Sequence, residues 1–298
     1  MKGSFLTDDF FGKLETLALN LRADLYGYFG GKHLVRTYGQ TVEFADYREY
    51  ALGDDVRRID WNLYSRFEKY FLKLFTDERQ MHVRIFLDCS ASMDKPDPKK
   101  SAYAVAVAAA LGFLAVHNDD KLSLLPVIGE NATDPFGLIV GKNSFFRVIK
   151  QLEKTPFDGE ADLYKSITNT EIGTNDGLCV IISDFFTDSD WKKAVDYLRY
   201  KRQQVMLIRT LTPEELDPSY TGRVHLVDVE SENLPDEKNI KLKITRGMLE
   251  AYKCALKDVT EDMRSFCSSR EAAFITLNTA EPIERALFGE LFKTGVAE

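Results

Sequence analysis

Asp88-Cys89-Ser90-Ala91-Ser92-Met93 follows the apolar run Val83-Arg84-Ile85-Phe86-Leu87, and the junction between them decides the fold. The run is short, branched and apolar, as a strand covered by helices on both faces is. Next come the turn-rich Asp94-Lys95-Pro96-Asp97-Pro98 and a long helical pattern. An Asp ending a central strand, with Ser90 and Ser92 one residue apart, puts three hard oxygens on one loop. One charged and two neutral oxygens suit Mg²⁺, which keeps waters and leaves positions free. The plainer alternative is that Asp88 caps the turn while the serines satisfy loop amides.

Working outward, residues 121–128, 177–183, 205–208 and 273–277 read as further strands, and 137–140 as a short edge strand. Helical periodicity covers residues 102–116, 144–152, a stretch from about Asp162, 191–202, 246–268 and a last segment ending near residue 293. Strands alternating with helices of this length predict a doubly wound, mostly parallel sheet with helices on both faces. Residues 222–229 and 240–245 alternate like a hairpin around Asn233-Leu234-Pro235-Asp236. They predict an antiparallel pair inserted at about 220–245. Asp184 ends the strand at 177–183 as Asp88 ends its own. The carboxyl ends of neighbouring central strands converge, so both carboxylates are expected to face one ion.

The whole chain has 298 residues, 44% of them hydrophobic and 29% charged, with a formal net charge of −8. That balance offers no excess of Lys and Arg to neutralise phosphates, which argues against nucleic acid as a partner. The four cysteines form no C-x-x-C pair, and Cys89 and Cys179 lie in or beside strands. Buried free thiols in a reducing compartment are expected. The N-terminus lacks a signal pattern, and the apolar run at 102–116 falls short of the roughly 20 residues that cross a bilayer. A cytoplasmic protein without a membrane span is expected.

Residues 1–80 read as an N-terminal, β-rich extension and 81–298 as the main domain. The extension carries Tyr47-Arg48-Glu49-Tyr50 and then Gly53-Asp54-Asp55-Val56-Arg57-Arg58-Ile59-Asp60-Trp61. Mixed charge beside aromatics is unlike a disordered tail. Its near-neutral balance favours arginines paired with local carboxylates, for which the guanidinium fork is well shaped. Either a charged clamp onto the main domain or a partner-docking surface fits Arg48, Tyr50, Gly53, Asp54, Asp55, Arg57, Arg58, Asp60 and Trp61.

This block resembles the Arg-x-Tyr-x-x-Gly-Asp-Asp-x-Arg-x-Ile-Asp-Trp signature of a bacterial family catalogued as domain of unknown function fifty-eight. Asp88-x-Ser90-x-Ser92 is similar to the metal-ion-dependent adhesion-site motif of von Willebrand factor A-like domains, to which that family is related. The resemblance implies a von Willebrand A-like fold, with Asp88, Ser90, Ser92 and Asp184 as ligands of Mg²⁺ or Mn²⁺. It also implies a MoxR-type AAA+ ATPase, or its client protein, as partner in chaperone-like complex assembly or maturation. The adhesion-site pattern adds a Thr in a Gly-x-Thr-Asp-Leu context. Here that stretch is Gly159-Glu160-Ala161-Asp162-Leu163, with Ala161 in the Thr position and Asp162 as a less direct ligand. Weak metal binding is therefore expected, with an open coordination position offered to an acidic side chain of the partner.

Enzyme motifs are sparse. No His-Glu-x-x-His or Gly-x-Ser-x-Gly occurs, and the histidines are scattered. The catalytic alternative is a Mg²⁺-dependent phosphohydrolase of haloacid-dehalogenase type, which also places an Asp after an apolar strand. That chemistry needs a second carboxylate where this chain has Ser90. A non-enzymatic binding protein is the expected class.

Overall fold

The computed structural model describes residues 6–21, 42–51, 54–77, 80–95, 97–174, 177–187, 189–226, 240–287 and 289. The chain divides into two compact units, Gly30–Gln80 and a larger one made of Met1–Phe29 with Met81–Glu298. This differs from a division of the whole sequence at residue 80. Helix α1 (Asp8–Leu21) belongs with the larger unit, because Phe10 and Leu14 are buried in its core.

In the smaller unit, β1 (Val42–Glu49) pairs antiparallel with β2 (Phe71–Asp77), with an irregularity between Phe44 and Asp46. The short helix α2 (Trp61–Phe67) lies between them in sequence.

The larger unit is built on β3 (His82–Asp88), β4 (Lys121–Ile128), β5 (Asn131–Ala132), β6 (Gly177–Ser183), β7 (Gln203–Leu211) and β10 (Ala273–Asn278). They form one sheet in the order β10-β7-β6-β3-β4-β5, parallel throughout except for β5, which runs antiparallel to β4. Strand residues alternate between faces. Accordingly Val83, Ile85, Leu87, Leu178, Val180 and Ile182 enter one buried cluster, whereas Phe86, Cys179 and Ile181 enter the other. The first cluster is covered by α1, α3 (Pro98–His117) and α4 (Lys142–Leu152). The second is covered by α5 (Leu163–Asn169), α6 (Trp191–Tyr200) and the C-terminal end of α8 (Arg246–Ser268). This is the doubly wound, mostly parallel architecture predicted above. The inserted pair is also present as β8 (Gly222–Leu226) antiparallel to β9 (Ile240–Ile244).

By length and composition, Lys99–His117 could cross a membrane, yet 89% of that window is buried inside the unit. Its alanines explain why: Ala104, Ala106, Ala108, Ala109 and Ala110 are fully buried, so α3 lies close on the sheet. Gly112 extends that approach, since a Cβ there would sit 2.9 Å from Leu122 Cδ2 and 3.1 Å from Phe145 Cε2. The edge strand expected at 137–140 is instead a single bridge between Ile139 and Leu122, and the edge pairing falls at Asn131–Ala132.

Far from the strand ends that carry Asp88, His82 opens β3 with Nε2 2.9 Å from Ser123 Oγ. Burial, then the charges of Arg84 and Lys121, push its pKa from 6.5 down to about 4. The folded protein thus holds a neutral ring that the unfolded chain protonates more readily. Its stabilising effect is present above about pH 6.5 and is lost as pH falls through about 4. For a half-buried ring, screening leaves on the order of 2 kcal/mol. Denaturation midpoints between these limits should fall less steeply for His82→Gln than for wild type. Burial pushes Asp120 up to about 6, which acts in the opposite sense, but both proteins share it. Identical acid limbs would contradict this assignment.

Candidate functional site

The carboxyl ends of β3 and β6 are neighbours in the sheet, and Leu87 pairs with Ile182. That register sets Asp88 level with Ser183. Asp88 Oδ2 accepts a 2.6 Å hydrogen bond from Ser183 Oγ, and Oδ1 accepts one of 2.9 Å from the Ser90 amide. The Ser90 and Ser92 hydroxyls lie 3.0 Å apart. The loop holding Ala161 is tied to the serine loop, since the Ala91 amide donates to Gly159 O and the Asp158 amide to Cys89 O. Asp88, Ser90 and Asp184 are 2%, 3% and 1% exposed. Asp88, Ser90 and Asp184 are thus buried at this crest rather than displayed on an exposed loop, and Ser92 is half-buried. Burial, then the charge of Asp184, push Asp88 up to about 6 against the hydrogen bonds from Ser183 and Ser90.

The centre of the crest is a residue that sequence reasoning missed. Lys100, in the first turn of α3, is 2% exposed. Its Nζ donates to Asp184 Oδ2 at 2.6 Å, to Glu215 Oε1 at 2.8 Å and to Ser92 O at 3.3 Å. An ammonium has three N–H donors, and here each has an acceptor. Burial alone would lower its pKa, but Asp184 and Glu215 outweigh burial and hold it above the ordinary lysine value. Glu215 is positioned by the capping box of the short helix α7 (Pro213–Leu216), where its Oε2 accepts from the Thr212 amide at 2.8 Å.

A second buried cation lies below. Arg209 on β7 donates from Nε to Asp184 O at 3.0 Å and from Nη1 to Thr260 Oγ1 at 3.1 Å. Both cations lie near the ring of Phe186, Arg209 Cζ at 5.0 Å and Lys100 Nζ at 6.0 Å from its centroid. Phe186 itself is 43% exposed. The Phe186 amide donates to Asp184 Oδ1 at 2.9 Å, so both carboxylate oxygens of Asp184 are engaged.

These residues do not fit the divalent ion expected from the sequence. The oxygens of Asp88 and Asp184 accept hydrogen bonds from the chain, and the position an ion would take beside Asp184 Oδ2 holds the Lys100 ammonium at 2.6 Å. Ala161 supplies no side-chain oxygen. Asp162 is the N-cap of α5, with Oδ1 accepting from the Lys165 amide and from Ser189 Oγ, each at 3.0 Å. The phosphohydrolase alternative gains nothing either, since Ser90 stands where its second carboxylate belongs.

The signature of the smaller unit forms a local network. Arg48 Nη2 lies 2.8 Å from Asp54 Oδ1, with the two side chains 40% and 23% exposed. Asp54 Oδ2 accepts from the Ala51 amide, and Asp55 caps the turn Val56–Arg58 through the Arg57 amide. Arg57 is exposed, and Gly53 lies outside the described residues. Tyr50 meets Tyr70 edge-on at 6.3 Å. Trp61 is 60% exposed and packs edge-on against Tyr64 and Tyr70, which stack on each other at 4.6 Å. Asp60 is the structural keystone: 6% exposed, it caps α2 through the Asn62 and Leu63 amides and accepts from Tyr47 Oη at 3.2 Å. Asp60→Ala should cost about 1–2 kcal/mol, the upper range for a lost N-cap. Arg48→Ala should cost under about 1 kcal/mol, as half-exposed ion pairs do. Urea denaturation of the two variants checks that order, and a larger loss for Arg48→Ala would reverse it.

A doubly wound sheet with Asp-x-Ser-x-Ser and a second Asp at adjacent strand ends defines a von Willebrand A-like domain. A family model described as "Protein of unknown function DUF58" matches residues 46–253, and the chain belongs to that family. The uncharacterized proteins Rv1480 of Mycobacterium tuberculosis and Mb1516 of Mycobacterium bovis are each 30% identical over 224 residues, covering 73% of this chain and 70% of theirs. Among solved structures, the conserved hypothetical protein BatB from Bacteroides thetaiotaomicron aligns with a TM-score of 0.41 and 12% identity, over 73% of this chain and 100% of its own. An aerotolerance-related membrane protein from Bacteroides fragilis aligns with a TM-score of 0.40 and 13% identity, over 72% and 99%.

Proposed function

We propose that this chain is a non-catalytic protein-binding module that works with a MoxR-type AAA+ ATPase to assemble or mature a protein complex. The observation that carries this reading is the state of the crest. Its buried carboxylates, Asp88 and Asp184, and the Lys100 ammonium are consumed by internal bonds, and an aromatic ring, Phe186, is left 43% exposed above two buried cations. A hydrolytic site needs a nucleophile that is free and activated. Here Asp88 is hydrogen-bonded through both oxygens, and the buried Cys89 thiol is pushed well above its usual range by burial. A rigid polar base with one exposed aromatic suits an anchor for a partner surface. The ATPase is the partner that the family resemblance implies.

The test is co-purification of the full chain with that ATPase, followed by affinity measurement. Phe186→Ala should weaken binding about tenfold or more, as truncating an aromatic hot spot does, without changing the melting temperature. An unchanged affinity would move the docking surface elsewhere. The exposed rings of Trp61 and Tyr70 would then be the next surface to truncate.

A further inference from the structure

We infer that Lys100 is the resident cation of the crest, so that the site holds its geometry without a divalent ion. Three segments distant in sequence converge on one ammonium: the serine loop through Ser92 O, the end of β6 through Asp184 Oδ2, and the first turn of α7 through Glu215 Oε1. The two carboxylate acceptors are fixed independently. Asp184 is held by the Phe186 amide on its other oxygen and by Arg209 on its carbonyl, and Glu215 by the Thr212 amide. The lysine ties these loops together as a metal ion would, but from within the chain.

Two features turn this from a coincidence of packing into a replacement. First, the place of an ion on Asp184 is already taken: the Lys100 ammonium sits 2.6 Å from Oδ2, and Oδ1 accepts a hydrogen bond from the Phe186 amide. Second, a divalent ion on Asp184 would share a buried carboxylate with an ammonium, and like charges in a dry site repel strongly. The departure at Ala161 follows the same logic, since a crest with its own cation has no use for another oxygen. The chemistry assigned here is structural: recognition at this crest proceeds without a metal bridge to a partner carboxylate. The inference concerns the same crest as the docking reading but stands apart from it, because its test needs no partner.

The experiment is calorimetric titration of the full chain with MgCl₂ and with MnCl₂, paired with thermal melts in EDTA and in each ion. Wild type should show no saturable binding up to about 1 mM, the range in which weak oxygen sites fill. Its melting temperature should be the same in EDTA and in either ion. Lys100→Ala combined with Ala161→Thr removes the ammonium from Asp184 Oδ2 and Glu215 Oε1 and restores a hydroxyl. This variant should gain saturable Mn²⁺ binding and a melting temperature that rises with the ion. Saturable wild-type binding that Asp184→Asn removes would overturn the inference. If the double variant fails to fold, the wild-type titration decides alone, because a metal-dependent crest must bind the ion there.

Discussion

Lys100→Ala is expected to destabilise the larger unit by about 3–5 kcal/mol, the usual cost of removing one partner from a buried ion pair. Lys100 and Asp184 are 2% and 1% exposed, so water does not screen what remains. The lost ammonium leaves Asp184 charged and buried with one oxygen unsatisfied. Glu215, at 26% exposed, can rehydrate, so the penalty falls mainly on Asp184. The matched double change Lys100→Met with Asp184→Asn should recover most of the loss. Asparagine keeps the acceptor for the Phe186 amide, and replacing a buried pair by neutral groups is often close to neutral in stability. Chemical denaturation of the two single variants and the double gives the coupling directly. A single-variant loss below about 1 kcal/mol would mean that the pair behaves as a solvated one.

Phe145→Ala is the second large effect, at about 3–5 kcal/mol from lost burial and the cavity it leaves. Phe145 is fully buried at the meeting of three helices. Its ring lies 6.1 Å from Phe11 on α1, 6.0 Å from Phe113 on α3 and 5.5 Å from Phe146 beside it on α4. Gly112 gives that ring its seat, so the site cannot collapse by moving α3 without opening its contact with Leu122. Phe145→Leu keeps most of the volume and should cost less than half as much. Denaturation curves for both variants check the ordering. Equal losses would mean that the edge-on ring contacts, and not volume, dominate.

How legible these features were in the sequence follows from what each residue's environment requires. Strands β3 and β6 were legible because both of their faces are covered, which leaves an apolar run between turn signals. Asp88 and Asp184 were legible for a related reason, as acids at the ends of such runs. The edge pairing at Asn131–Ala132 was not, because two exposed or half-exposed residues carry no pattern. Phe10 and Leu14 show the limit of composition: nothing local says which body an N-terminal amphipathic helix will join. Lys100 and Glu215 were hidden for a different reason. A lysine and a glutamate in first turns of helices look solvated, and the contact between them spans 115 residues of sequence. Charged residues are seldom fully buried, so the prior runs against seeing them. Two local signals were nonetheless available. Thr212-Pro213-Glu214-Glu215 has the capping-box spacing, and Arg209 directly follows the apolar run Val205-Met206-Leu207-Ile208 inside a strand.

Metal independence also separates two ways in which a crest of this kind can hold a partner. A bridging ion makes association depend on chelators, whereas a preformed ammonium–carboxylate cluster fixes the loops before any partner arrives, which lowers the ordering cost of binding. The measurement that tests this most directly is the affinity of the full chain for the nucleotide-free MoxR-type ATPase, in EDTA and in Mg²⁺, so that chelation acts on this chain alone. Affinities that agree within about twofold, under ~0.5 kcal/mol, and that fall together in Phe186→Ala are expected. An affinity that collapses in EDTA and returns with Mg²⁺ would contradict a crest held by Lys100.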